Sequence, residues 1–84
     1  MSIILFQRKL RGYTIARAYF NVGEHDTARH HLNEFLSARP KSFDGHKLLG
    51  QIHEASGNKD KAVLSYVAAY KLTDSPKDLV IKSE

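Results

Sequence analysis

An all-α fold of stacked helical hairpins is predicted by three features of the sequence. Residues recur at one offset: Gly23, Asp26 and Ala28 return as Gly57, Asp60 and Ala62, and Ile15-Ala16 returns as Leu49-Gly50, always 34 positions on. Between these markers the apolar residues recur three and four apart, the spacing of one helix face. The segments are separated by breakers, with Gly23, Pro40, Gly57 and Pro76 falling between apolar stretches. A fixed period of this size marks a unit that cannot bury its apolar face alone and must stack on its neighbour.

Residues 1–8 are an N-terminal extension, which either lengthens the first helix or precedes it as a loose tail. Helix A1 is expected from Lys9 to Val22, with Ile15, Ala18, Tyr19 and Val22 on one face. Gly23 stops it, because glycine tolerates the left-handed conformation at a helix end. Asp26 is expected to cap helix B1, which runs to about Ala38 with Ala28, Leu32, Phe35 and Leu36 as its apolar stripe. Pro40 ends the first unit, since the residue before a proline avoids helical geometry. Ser42 caps helix A2, from Phe43 to about Ser56, whose apolar face is Leu48, Leu49 and Ile52. Gly50 costs this helix about 1 kcal/mol relative to alanine. A need for close approach by the paired helix, with Ala28 and Ala62 facing Ala16 and Gly50, explains its presence. Gly57 ends A2. Asp60 is expected to cap B2, which carries Ala62, Val63, Tyr66, Val67, Ala69, Tyr70 and Leu72 and runs to about Thr73. Ser75-Pro76 is a third helix start, opening onto Leu79, Val80 and Ile81. The units are therefore 9–42, 43–76, and the beginning of a third, or a short capping helix, over 77–84. Two repeats and part of a third make a weak stack. A longer solenoid, or self-association through the incomplete third unit, is expected to complete it.

Composition narrows the function. Eighty-four residues fit one small domain or a piece of a larger one. There is no cysteine, which removes disulfides and thiolate zinc sites. Thirteen Lys and Arg against nine Asp and Glu leave a mild charge of +4, compatible with acidic partners. The longest apolar run, Ile3-Ile4-Leu5-Phe6, is far short of the roughly 20 residues that span a bilayer. Arg8, Lys9 and Arg11 follow that run, whereas a secretory signal places its positive charge first. Residues 1–23 hold four arginines and lysines and no acid, as mitochondrial presequences do, but Gly12–Val22 is in register with A2 and so reads as part of the repeat.

Laid over the tetratricopeptide pattern, the Leu-Gly pair is Ile15-Ala16 and Leu49-Gly50, and the small residue of helix B is Ala28 and Ala62. The aromatic one turn after the pair is Tyr19, then His53. The later aromatic is Leu32, then Tyr66, and the alanine that follows it is Phe35, then Ala69. The terminal proline is Pro40, then Asp74, and the large residue early in helix A is replaced by Gly12 and His46. The chain thus resembles the tetratricopeptide superfamily. A narrower set includes Arg11-Gly12, Ala16 to Phe20, Gly23-Glu24, His46 to Gly50, Lys61-Ala62-Val63, Tyr66 and Lys77 to Lys82. Together these residues resemble the N-terminal tetratricopeptide domain of the large Ran-binding nucleoporins of the pore's cytoplasmic filaments. That resemblance implies a scaffold at the cytoplasmic face of the nuclear pore, in nucleocytoplasmic transport including mRNA export. Nucleoporins or transport factors are then its partners. Ran binding belongs to other regions of such proteins and is not carried over. A cytoplasmic location is the alternative.

The superfamily's geometry places the A helices on the inner face of the stack. This assigns a partner-binding surface to Tyr13, Arg17, Phe20 and Asn21, with Lys47, Gln51 and Glu54 from A2; Leu10, Asp44 and Ala55 share it. Aromatics with arginine dominate interface energetics, so Tyr13, Arg17 and Phe20 form a candidate anchor, set against plain packing of the two rings. The places where co-chaperone relatives hold a terminal carboxylate carry Tyr13, Arg17, Leu48, Asp78 and Lys82, without the asparagines, which argues against that mode. Leu79, Val80 and Ile81 form the stack-completing end.

Other chemistry finds little support. His30 with Glu34, and Asp26 with His30, share a helix face, but a zinc site needs three or four convergent ligands and no HExxH occurs. No metal or cofactor is expected. His53 is expected to replace an aromatic and to bond through its ring nitrogen. No P-loop, GxGxxG or nucleophile elbow is present, so the chain is read as non-enzymatic. Two alternatives stand beside the protein scaffold. One is RNA binding through Arg8, Lys9, Arg11 and Arg17 interleaved with Tyr13, Tyr19 and Phe20. The other is a co-chaperone or mitochondrial adaptor.

Overall fold

The computed structural model describes residues 2–73, with side chains over 11–72. Four helices follow in order: α1 Ser2–Asn21, α2 His25–Ala38, α3 Phe43–Ala55 and α4 Lys59–Thr73. α1 pairs with α2 and α3 with α4, and the two hairpins join through α2 against α3 and α1 against α3. Residues 2–8 of the N-terminal extension thus belong to α1. Leu79, Val80 and Ile81 lie outside the described residues.

The two hairpin turns are built alike. Gly23 and Gly57 take φ of 87° and 81°, the only positive values among the described residues. The amide after each glycine reaches back to a carbonyl at the same relative place: Glu24 to Tyr19 at 2.9 Å and Asn58 to His53 at 2.8 Å. A side chain at either glycine would be strained in this region, which is why the repeat places glycine there twice.

Among the described residues, one of the three expected caps formed as expected. The Ser42 hydroxyl accepts the Gly45 amide at 3.0 Å, satisfying one of the orphan donors at the start of α3. Asp26 instead lies inside the first turn of α2, where Glu24 is the cap residue without a side-chain bond. Its carboxylate pairs with Arg29 at 3.2 Å, an exposed contact that contributes at most about 1 kcal/mol. Asp60 likewise sits in the first turn of α4 rather than at its cap. Both acids still suit the positive end of the helix dipole.

The shared interior is small. Ala16, Ala28, Leu32, Leu48 and Ile52 form one buried cluster drawn from α1, α2 and α3, so the core crosses the seam between hairpins. Tyr13, Phe20, Phe35, Leu36 and Leu49 close around it. Ala62, Ser65 and Ala69 are the buried side chains of α4. The expected face of A1 is corrected. Ile15 is 37% exposed, Tyr19 39% and Val22 73%, and Ala18 is exposed too. The buried row is Gly12 and Ala16, flanked by Tyr13 and Phe20. Both rows have helical spacing, and only the position of α2 decides which one is covered.

Glycine sets the closest approaches. A Cβ on Gly12 would lie 2.6 Å from the His31 carbonyl oxygen and 3.1 Å from Phe35 Cβ. A Cβ on Gly45 would meet Leu36 at 2.7 Å and the Phe35 ring at 3.0 Å. Phe35 therefore sits between two helices that each offer it a residue without a side chain. Gly50 makes room for the Tyr66 ring, which a Cβ would meet at 2.7 Å. In the first hairpin the same pair of places holds Ala16 and Leu32, a larger residue facing a smaller one.

Candidate partner-binding face

The residues assigned to partner binding lie on α1 and α3, and the structure divides them. Tyr13 is half-buried, packs on the core, and tilts against Phe35 with ring centroids 5.6 Å apart. Its hydroxyl accepts a hydrogen bond from Arg17 Nη1 at 3.1 Å, while Arg17 itself is exposed. Phe20 is also half-buried, against the His25 ring at 5.5 Å. Asn21 is exposed. Tyr13 and Phe20 thus each give one side of the ring to the fold, and Arg17 donates to the Tyr13 hydroxyl from the exposed side of α1.

On α3, Lys47 is exposed with its Nζ 6.0 Å from the centre of the Phe43 ring, at the outer limit of a cation–π contact. Gln51 is half-buried. Glu54 accepts a hydrogen bond from the Tyr66 hydroxyl at 2.9 Å. Burial, then that bond and the carboxylate's charge, with Tyr70 adding, push the Tyr66 phenol up to about 12. Glu54 is therefore engaged by α4 before any partner arrives. Phe43 was not among the expected site residues. Its position next to the cap, one turn before Lys47, was the available signal.

Two rival readings lose ground on geometry. Leu48, one of the five carboxylate-holding places, is 2% exposed and cannot present itself to a ligand. Tyr19, which base stacking would use, is already stacked on His31, with centroids 5.6 Å apart and planes within 2°. With Tyr13 against Phe35 and Phe20 against His25, each of the three aromatics has a ring partner. His30 Nε2 and Glu34 lie 3.8 Å apart on the exposed side of α2, and no group of three metal-ligating residues occurs among the described residues. A solvent-open hollow of about 480 Å³ lies at the α2–α3 connection around Phe35, Arg39 and Lys41. Binding by an open helical surface requires no cavity.

Two other histidines serve the framework. His46 Nε2 lies 2.8 Å from the Pro40 carbonyl, which fixes Nε2 as the protonated nitrogen if the bond is made. His53 departs from expectation: its Nδ1 is buried with no hydrogen-bond partner. Burial lowers its pKa below 6.5, and the charges of Lys61 and Arg29 lower it further. The unfolded chain therefore takes up this proton first as pH falls. Stability contributed by neutral His53 is present above about pH 6.5 and is lost on acidification below it. Urea unfolding at pH 7.5 and pH 5 should show a smaller acid loss in His53→Phe than in the parent; equal losses would exclude this role.

Comparison with known proteins agrees with the geometry. The family model for the tetratricopeptide repeat matches residues 13–78. The human RANBP2-like and GRIP domain-containing protein 2 is 35% identical over 75 residues, covering 89% of this chain and 4% of that protein. The human E3 SUMO-protein ligase RanBP2 is 30% identical over 76 residues, 90% of this chain and 2% of its own length. The chain therefore spans only a few per cent of the relatives it matches. No solved structure matches. The repeat period, the paired glycine turns and the family match agree: this chain belongs to the tetratricopeptide repeat family.

Proposed function

We propose that the chain is a protein-binding scaffold that presents the α1–α3 face to a partner, as part of a nucleoporin at the cytoplasmic side of the pore. Tetratricopeptide repeats are protein-interaction scaffolds. The observation that carries the choice of face is Arg17, exposed and hydrogen-bonded at 3.1 Å to the hydroxyl of the half-buried Tyr13. A guanidinium positioned in advance loses less side-chain entropy on binding, and arginine beside an aromatic is a common centre of interface energy. Similarity to RanBP2 and the RANBP2-like proteins supports the nucleoporin part of the reading, with a role in transport that includes mRNA export. The ligase activity named for RanBP2 belongs to that whole protein, of which this chain matches 2%. Neither it nor Ran binding is assigned here.

The test is crosslinking and mass spectrometry of the tagged full-length protein in cells, compared with Arg17→Glu/Asn21→Asp. Helix content of the variant, checked by circular dichroism, should be unchanged, since both residues are exposed. Nucleoporin or transport-factor neighbours that fall about tenfold in the variant support the reading, the loss matching a single interface centre of about 1.4 kcal/mol or more. Chaperones or mitochondrial outer-membrane proteins as neighbours, or neighbours indifferent to the variant, overturn it. RNA recovered with an affinity that drops steeply with salt would favour the nucleic-acid reading instead.

A further inference from the structure

α4 repeats one exposed row of α2 with different chemistry. In α2 the row steps by four, three and four residues through Asp26, His30, Asn33 and Ser37, all exposed. Thirty-four residues on, the same places hold Asp60, Leu64, Val67 and Lys71, again all exposed. The polar pair at the centre has become apolar, with Leu64 70% and Val67 43% exposed. We propose that this row is the seam through which two copies of the chain pair, α4 against α4, antiparallel about a twofold axis between Leu64 and Val67.

Packing along the repeat does not cover this row. α3 packs on α2 and half-buries Leu36, which lies beside Gly45, yet it leaves His30 and Asn33 in solvent. A helix set on α4 in the same manner covers the counterpart of Leu36, which is Tyr70, and leaves Leu64 and Val67 exposed. Taking these two branched side chains out of water is favourable, and a second molecule is what can do it.

Symmetry points to a second copy as the occupant. Steps of four, three and four are the alternate d and a places of a heptad seam, and they read the same in both directions. Antiparallel pairing about the midpoint sets Leu64 against the second copy's Val67, and Asp60 against the second copy's Lys71, each contact occurring twice. Both couples are complementary, apolar on apolar and acid on base. Parallel pairing would set acid on acid and base on base. α2 lacks the apolar centre and the basic end, and its Asp26 is held by Arg29, whose counterpart in α4 is Val63. Exposed ion pairs add little affinity and chiefly fix the register. Two apolar layers make an interface well below about 1,200 Å², so the expected Kd is weak, on the order of 100 µM. In dilute solution the chain is then a monomer, and Leu64 contributes nothing to its unfolding free energy. The seam shares no residue with the Arg17 surface and does not depend on it.

Sedimentation equilibrium of the full chain, carried up to about 1 mM, tests the pairing. The parent should form dimers. Leu64→Glu sets a carboxylate in the apolar centre and should raise Kd at least about tenfold. Its helix content by circular dichroism should be unchanged, because Leu64 is exposed. The charged ends test the direction. Asp60→Lys and Lys71→Asp each place like charges at both ends of the seam and should weaken pairing by about threefold to tenfold. An equimolar mixture of these two variants restores opposite charges at both ends and should pair at least as tightly as the parent. The mixture decides even where a substitution lowers stability, since both of its components carry the same changes when measured alone. A parent that stays monomeric assigns the row to a different protein and overturns the proposal. So does a Leu64→Glu chain that pairs as tightly as the parent, or a mixture that pairs no more tightly than its components.

Discussion

Leu32→Ala is expected to lower stability by about 2–5 kcal/mol, the range for removing a fully buried leucine side chain. Leu32 is wholly inaccessible and belongs to the cluster that joins α1, α2 and α3. Only three large side chains, Leu32, Leu48 and Ile52, are fully buried among the described residues. Removing one therefore takes away a large share of the interior. It also opens a cavity beside Ala16 and Ala28, which are too short to close it. The loss should appear as a fall in Tm of at least about 8 °C. Leu64→Ala is the control. Leu64 is 70% exposed on α4, and the same substitution there should change stability by no more than about 0.5 kcal/mol. Equal costs at the two leucines would show that the buried cluster does not hold the hairpins together.

Gly12→Trp should destabilise the chain, although tryptophan is the residue this family usually carries at that place. Glycine inside a helix costs about 1 kcal/mol relative to alanine, so propensity alone favours any replacement. The steric term is larger. A Cβ here would stand 2.6 Å from the His31 carbonyl oxygen, which is backbone and cannot rotate away. α1 and α2 would have to separate, and overpacking of this kind typically costs about 1–3 kcal/mol, more for a ring as large as indole. Gly12→Ala should show the smaller version, with the helix gain partly offsetting the clash. Gly12→Trp/Phe35→Ala should recover part of the loss: the Phe35 Cβ, 3.1 Å from the same point, stays in alanine, but removing the ring beyond it gives the indole room. Chemical unfolding of the four proteins measures all these terms. A stabilising Gly12→Trp would mean that α1 and α2 are not this close.

These two results bear on how far the residues alone led. The apolar stripes of α2 and α3 were legible because Ala28, Leu32 and Phe35, or Leu48, Leu49 and Ile52, leave one face as the only apolar choice. A1 offered two apolar rows at helical spacing, and periodicity favoured Ile15, Ala18, Tyr19 and Val22. The structure buries Gly12 and Ala16 instead. Gly12 gave no hydropathy signal, because its contribution is the absence of a side chain. The same holds for Gly45, whose role is visible only once Phe35 and Leu36 are seen against it. At the proposed binding face, the sequence placed Arg17 and Tyr13 one turn apart. It could not show that Tyr13 leans on Phe35 or that Glu54 is already held by Tyr66.

The residues by themselves determined the class, the period and the turns. Glycine at Gly23 and Gly57 is demanded by local backbone geometry, and a 34-residue offset needs no partner to be read. Tertiary structure decided which row of α1 is covered, why Phe35 stands where alanine is usual, and which charges remain free. Those are matters of volume and of neighbours brought together from distant parts of the chain. Local propensity carries no information about them, because the space a side chain must fill is set by the helix packed against it.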